Sequence, residues 1–244
     1  MQKIIGRKPV LEALNSGKDI DRIILSFGQK GEIIDSIRIA AKKRKVKLTQ
    51  LSPQKFKGYE KGLNSQGVIA FISDYNFWKL DALINQANKK DNPLILILDE
   101  IQDTHNIGAI FRTAESVGVD GIIITTRNSA PINETVEKTS AGAISHLRIS
   151  PITNLRQAME TLKKNGFWII GSSLTERSKL YTEVDYTGSI AIVVGNEEKG
   201  IRKHTAEFCD HLVKIPMQGK VQSLNVSVAT GVLLFEVLRQ RGIN

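Results

Sequence analysis

The chain has a single cysteine, Cys209, in 244 residues. One thiol cannot make an internal disulfide or complete a cysteine-rich zinc site, and this usage suits a reducing cytoplasm. Long apolar runs are missing too. No stretch reaches the roughly 20 apolar residues that cross a bilayer, so no membrane partner is expected. Behind the charges of Met1-Gln2-Lys3-Ile4-Ile5-Gly6-Arg7 there is no apolar core, which argues against a secretory signal and leaves the cytoplasm as the expected location. Several enzyme signatures are also absent. There is no G-x-G-x-x-G, no G-x-x-x-x-G-K-[ST] and no G-x-S-x-G, which disfavours ordinary dinucleotide, phosphate-loop and serine-elbow chemistry. His105, His146, His204 and His211 show no metal-ligand spacing with Cys209, so no metal is expected.

What is present is a foldable, basic chain. Hydrophobic residues make up 41% of it, too many for disorder. The net charge is +9 and is unevenly placed: residues 1–74 hold 15 Lys/Arg against 7 Asp/Glu, while 75–244 hold 19 against 18. A basic surface attracts phosphate backbones and releases counterions on binding. RNA or DNA is therefore the expected partner, with contacts centred on the N-terminal third. The run Lys42-Lys43-Arg44-Lys45, together with Arg7, supplies the candidate phosphate contacts.

The length suggests two domains. Residues 1–73 read as a small α/β unit: a helix from Pro9 to Gly17, a strand from Ile20 to Leu25, a helix over about 32–45, and strands at 46–51 and 67–72. Residues 74–92 read as a linker ending in Asn92-Pro93, a pair that favours a boundary. From 93 to 244 the pattern changes. Continuous apolar runs at 94–98, 121–124, 167–170 and 190–194 indicate strands buried on both faces, as in a parallel sheet. Helical patterns at 106–117, 133–141, 154–164 and 226–241 lie among them, so the second domain is expected to be α/β with helices on both sides.

Ligands in such sheets bind at the carboxyl ends of the strands, and three polar clusters sit there. In the first, Asn106 reads as a helix cap, and Arg112 lies in an otherwise apolar helix where its guanidinium could grip a phosphate or carboxylate. In the second, Gly195 and Gly200 bracket a tight loop carrying Asn196 and Glu197, which could equally be an ordinary turn with solvated charges. In the third, a polar loop leads from Ile215-Pro216-Met217 to a helix through Ser223 and Asn225, either of which could be the N-cap.

In order and spacing these clusters resemble the SpoU family of RNA ribose 2′-O-methyltransferases, in the SPOUT class. The matching motifs are Asn106-x-Gly108-x-x-x-Arg112, Gly195-Asn196-Glu197-x-x-Gly200, and Ile215-Pro216-Met217 followed by Ser223-Leu224-Asn225-Val226-Ser227. The N-terminal Gly6-Arg7-Lys8-Pro9-Val10-Leu11-Glu12-Ala13-Leu14 and Gln66-Gly67-Val68 resemble the ribosomal-protein-like RNA-binding domain of one branch, whose target is a guanosine in the peptidyl-transferase loop of 23S ribosomal RNA. That branch commonly has His before the Gln-Gly pair, where this chain has Ser65; the family's first motif often has Asp-Pro before the Asn, where this chain has Thr104-His105.

The resemblance implies a deep trefoil knot in the C-terminal domain, S-adenosylmethionine as cofactor, and a homodimer. It implies a cofactor held by Gly195, Asn196, Ile215, Met217 and Leu224. It makes Arg112, Asn106, Glu197, Ser223 and Asn225 the catalytic set. Two other readings stay open: the same chemistry on transfer RNA, and a non-catalytic RNA-binding ribosome-assembly factor.

Overall fold

The computed structural model describes residues 3–18, 20–60, 64–72, 75–196, 199–220 and 223–242. The chain divides into two compact units, Met1–Asn76 and Phe77–Asn244.

The first unit runs β1 (Lys3–Ile5), α1 (Arg7–Asn15), β2 (Ile20–Ser26), α2 (Glu32–Lys43), β3 (Lys47–Leu51), α3 (Pro53–Glu60) and β4 (Val68–Ile72). Its strands lie in the order β1-β4-β2-β3, antiparallel except for the β2–β3 pair. Strand residues alternate between faces. Ile23 and Leu25 of β2 pack with Val10 of α1 and Ile34 and Ile37 of α2, while Ile24, Ile69 and Phe71 pack on Phe56 of α3. The α/β reading of this segment holds. The sequence pattern does not show β1, a three-residue strand, or α3, which buries only Phe56 and so has no apolar stripe.

The basic run at the end of α2 divides. Lys42, Lys43 and Lys45 are exposed. Arg44 is not a free surface cation: its Nη1 donates to the carbonyl oxygens of Leu14 (2.7 Å) and Ala13 (3.3 Å), satisfying the carboxyl end of α1, where cations are favoured. Arg7 opens α1 at its other end.

The second unit runs α4 (Leu80–Ala87), β5 (Leu94–Asp99), α5 (Thr104–Val117), β6 (Gly121–Thr125), α6 (Glu134–Thr139), β7 (Ile149–Ile152), α7 (Leu155–Lys164), β8 (Trp168–Ser172), β9 (Lys179–Leu180), β10 (Ile190–Gly195), α8 (Lys203–Phe208), β11 (His211–Lys214) and α9 (Val226–Gln240). The seven strands form one parallel sheet in the order β7-β6-β5-β10-β8-β11-β9. Every residue of β5 and β10 is buried, as continuous apolar runs require when helices cover both faces. On one face Ile95, Ile97, Ala191 and Val193 pack with Leu83 of α4 and Leu162 of α7. On the other, α5 packs between α6 and α9. Gly108 allows this closeness: a Cβ there would lie 2.5 Å from Thr139.

Residues 77–92 are not a linker. Trp78 N donates to the Ile149 carbonyl at 2.8 Å, and Leu83, Ile84 and Ala87 of α4 lie in the core of the second unit. The polar ends of this segment hide a short amphipathic helix. Among the described residues no helix is long and apolar enough to cross a membrane, and no group of three or more His, Cys, Asp or Glu could hold a metal ion.

Candidate active site

The site is built where β10 stops. Gly195 ends the strand, and a Cβ on it would come within 2.2 Å of the Gly200 carbonyl carbon and Ile201 nitrogen. Only glycine allows the following loop to fold back so closely. That loop closes on Asn196, whose carbonyl accepts from Gly200 N at 2.8 Å and whose Oδ1 accepts from Lys199 N at 3.2 Å. Gly200 takes a φ of +65°, a left-handed conformation glycine adopts without steric cost. Asn196 Nδ2 also donates to the Glu100 carbonyl at 3.2 Å, so the loop is tied to the end of the neighbouring strand β5.

A second tie is stronger. Asp99, the last residue of β5, is 1% exposed. Arg202 Nη2 lies 2.7 Å from Asp99 Oδ1, and Arg202 Nη1 lies 2.9 Å from Glu100 Oε1. Thr205 Oγ1 donates to Asp99 Oδ2 at 3.0 Å. The forked guanidinium suits two carboxylates at once. Asp99, Arg202 and Thr205 escaped the sequence reading. The available signal was a carboxylate at the carboxyl end of a wholly apolar strand, where a buried charge needs a partner.

Around this loop lies a cavity of about 550 Å³, within the roughly 300–1,000 Å³ usual for small-molecule sites. Gly195, Asn196, Ile215, Met217, Ser223 and Leu224 all line it. The five residues expected to hold the cofactor, and one of the expected catalytic set, are thus brought together from separate parts of the chain. The end of β8 and the residues after it, from Ser172 to Thr175, close another side. The lining combines apolar side chains such as Val194, Ile215 and Leu224 with hydroxyl, amide and lysine side chains and the backbone of Gly195.

Asn225 and Asn106 stand together beside this lining. Asn225 is the N-cap of α9: its Oδ1 accepts from Ser227 N at 2.9 Å and from Val228 N at 3.4 Å. Its Nδ2 donates to Asn106 Oδ1 at 3.0 Å. One amide therefore caps one helix and locks it to another. Asn106 is not the cap of α5, as the sequence suggested. Asp103 is, accepting from His105 N at 2.8 Å, so the side chain of Asn106 in the first turn is available to α9.

Arg112 is exposed on α5 and does not line the cavity of its own chain. It lies six residues beyond Asn106, about 9 Å along the helix. Glu197 lies outside the described residues. Cys209 is no nucleophile: burial, with Asp210 adding to it, pushes its thiol up to about 12, so it stays protonated.

Comparison with known proteins agrees with this geometry. The SpoU rRNA Methylase family profile matches residues 93–235, and the profile for RNA 2′-O ribose methyltransferase substrate binding matches residues 3–78. A Staphylococcus saprophyticus protein named as a TrmH family tRNA/rRNA methyltransferase is 40% identical over 98% of this chain and 95% of its own length. The crystal structure of an A. aeolicus TrmH/SpoU tRNA modifying enzyme matches with a TM-score of 0.58 at 37% identity, covering 67% of this chain and 82% of that one. An AdoMet-bound rRNA methyltransferase from Sinorhizobium meliloti shares the fold, with a TM-score of 0.63 at 23% identity over 97% of this chain and 86% of that one. With a cavity that suits the donor and both parts of the chain matched, this protein belongs to the SpoU/TrmH family of RNA methyltransferases, whose methyl donor is S-adenosylmethionine.

Proposed function

We propose that this protein methylates the 2′-hydroxyl of a guanosine ribose in 23S ribosomal RNA, acting as a cytoplasmic homodimer with a trefoil-knotted C-terminal domain. The observation that carries the reading is the joining of a cavity floored by Gly195 to the Asn106–Asn225 pair. The knot is supported by chain order. β10 inserts between β5 and β8, β11 lies beyond β8, and the segment after β11 must return to α9, which packs on α5. The N-terminal unit binds RNA through Arg7, Lys42, Lys43 and Lys45, with Arg44 holding α1 in place.

Gly195, Asn196, Ile215, Met217 and Leu224 hold the cofactor. When bound, S-adenosylmethionine supplies a methyl group already activated by its sulfonium charge. A ribose hydroxyl is a weak acid, so the protein must align its oxygen and manage its proton. Alignment accounts for several kcal/mol of such a barrier. Asn106, Ser223 and Asn225 orient the ribose and the surrounding loop. Arg112 binds an RNA phosphate and stabilises the developing alkoxide; its guanidinium stays charged, so the proton leaves to a phosphate oxygen or water. Glu197 orients Arg112 or the cofactor loop.

The position of Arg112 supports the homodimer. In its own chain it lies outside the cavity, and α9 exposes Val228 and Phe235, apolar side chains suited to a subunit contact. A second copy packed there brings Arg112 of one protomer towards the cavity of the other.

The test is mass-spectrometric mapping of ribose methylation in RNA from cells with and without the protein, paired with methyl transfer in vitro to 23S rRNA and to tRNA. Loss of one 2′-O-methylguanosine in 23S rRNA is expected; loss confined to tRNA overturns the substrate assignment. Sedimentation should give a dimer, and a monomer that retains activity refutes the role given to the second copy.

A further inference from the structure

The cavity carries more positive charge than its cofactor calls for. Three lysines line it: Lys199 from the loop after β10, Lys203 at the start of α8 and Lys214 at the end of β11. Lys199 and Lys203 are exposed and Lys214 is half-buried. Among the described residues none of the three forms an ion pair, whereas the adjacent Arg202 is committed to Asp99 and Glu100. This is a local concentration, since residues 75–244 carry 19 Lys/Arg against 18 Asp/Glu.

S-adenosylmethionine is itself a net cation, its sulfonium and ammonium outweighing one carboxylate. Three ammonium groups around one mouth raise the local positive potential, which disfavours a cationic ligand and favours a polyanion. The single carboxylate of the cofactor can engage one lysine and leaves the others without an anion.

We propose that Lys199, Lys203 and Lys214 form a phosphate-binding rim that holds the RNA backbone beside the cofactor, on the phosphates flanking the target ribose. This rests on the chain being an RNA ribose methyltransferase. Phosphate contacts set register without reading bases, so the rim positions the strand at the reacting centre while base identity is read elsewhere. Flexible lysine stems presenting point charges suit an irregular, splayed strand better than a rigid fork would. The three side chains come from different elements and all line the cavity, so a strand gripped by all three crosses its mouth.

The test measures fluorescence anisotropy of a labelled transcript of the 23S peptidyl-transferase loop, with a tRNA transcript as a second arm. The full chain, loaded with S-adenosylhomocysteine, is titrated over about 50–300 mM KCl. The triple variant Lys199→Gln, Lys203→Gln, Lys214→Gln should flatten the slope of log affinity against log salt by about 2, at about 0.7 per phosphate for a single strand, and weaken binding about tenfold or more. Its affinity for S-adenosylmethionine by calorimetry, which also reports folding, should hold or rise. An unchanged slope with weakened cofactor binding overturns the proposal and assigns the lysines to the cofactor carboxylate. An unchanged slope with unchanged cofactor binding overturns it too. If the wild-type protein transfers no methyl group to either RNA, the enzymatic reading fails, whatever the slope shows.

Discussion

Replacing Arg202 by Ala removes the pin between the loop that lines the cavity and the central strand. Asp99 would keep Thr205 Oγ1 at 3.0 Å and the backbone N of residue 202 at 3.4 Å, while losing the guanidinium at 2.7 Å. Breaking a buried ion pair by removing one partner costs about 3–5 kcal/mol, because a charge is left uncompensated. Here the Arg202 side chain is 34% exposed, so water enters its space and the cost falls to about 2–3 kcal/mol. For a unit of this size, 1 kcal/mol shifts the melting temperature by about 2–4 °C, giving a loss of about 5–10 °C by calorimetry. The loop that Arg202 anchors lines the cavity, so affinity for S-adenosylmethionine should fall about threefold to tenfold, the latter being 1.4 kcal/mol. The charge argument is isolated by the double variant Asp99→Asn, Arg202→Met, which leaves no charge at the buried Asp99 position and only the more exposed Glu100 carboxylate without its cation; it should be less destabilised than the sum of its single changes. A melting temperature within 1 °C of wild type for Arg202→Ala, or strictly additive single changes, would refute the reasoning.

Gly195→Ala places a Cβ 2.2 Å from the Gly200 backbone, so calorimetry should show at least about a tenfold loss of cofactor affinity; near wild-type binding would mean the loop does not form the pocket. Asn225→Asp keeps the oxygen that caps α9 and loses the Nδ2 donor to Asn106, whereas Asn225→Ala loses both; methyl transfer should collapse in each, with a further cost of about 1 kcal/mol for the lost cap in the alanine variant alone. Cys209 should resist a thiol reagent at pH 8 in the native protein and react on denaturation. Its pKa rises on folding from 9.0 to about 12, so the folded state holds a proton that the unfolded state releases. The stability this contributes is complete below pH 9 and lost as pH rises towards 12; Cys209→Ala should flatten the pH dependence of melting across that window, and an unchanged profile would count against the shift.

The sequence by itself determined the parallel-sheet character of the second unit. Strands such as Leu94–Asp99 and Ile190–Gly195 are apolar on both faces, and a strand buried on both faces has to be written that way. It also pointed to Gly195, Asn196, Ile215, Met217 and Leu224, which the fold brings to one cavity, because their motifs are local in sequence. Tertiary structure alone decided the pairings. That Asn106 reaches Asn225, 119 residues away, that Arg202 neutralises Asp99 across 103 residues, and that α4 joins the core rather than linking two units follow from strand order, which periodicity does not encode. Arg44 shows the same limit at short range. In sequence it is one cation of four, and only the packing of α1 against α2 turns its guanidinium onto the carbonyls of Ala13 and Leu14, because the last carbonyls of a helix have no partner within it and take whichever donor the fold brings near.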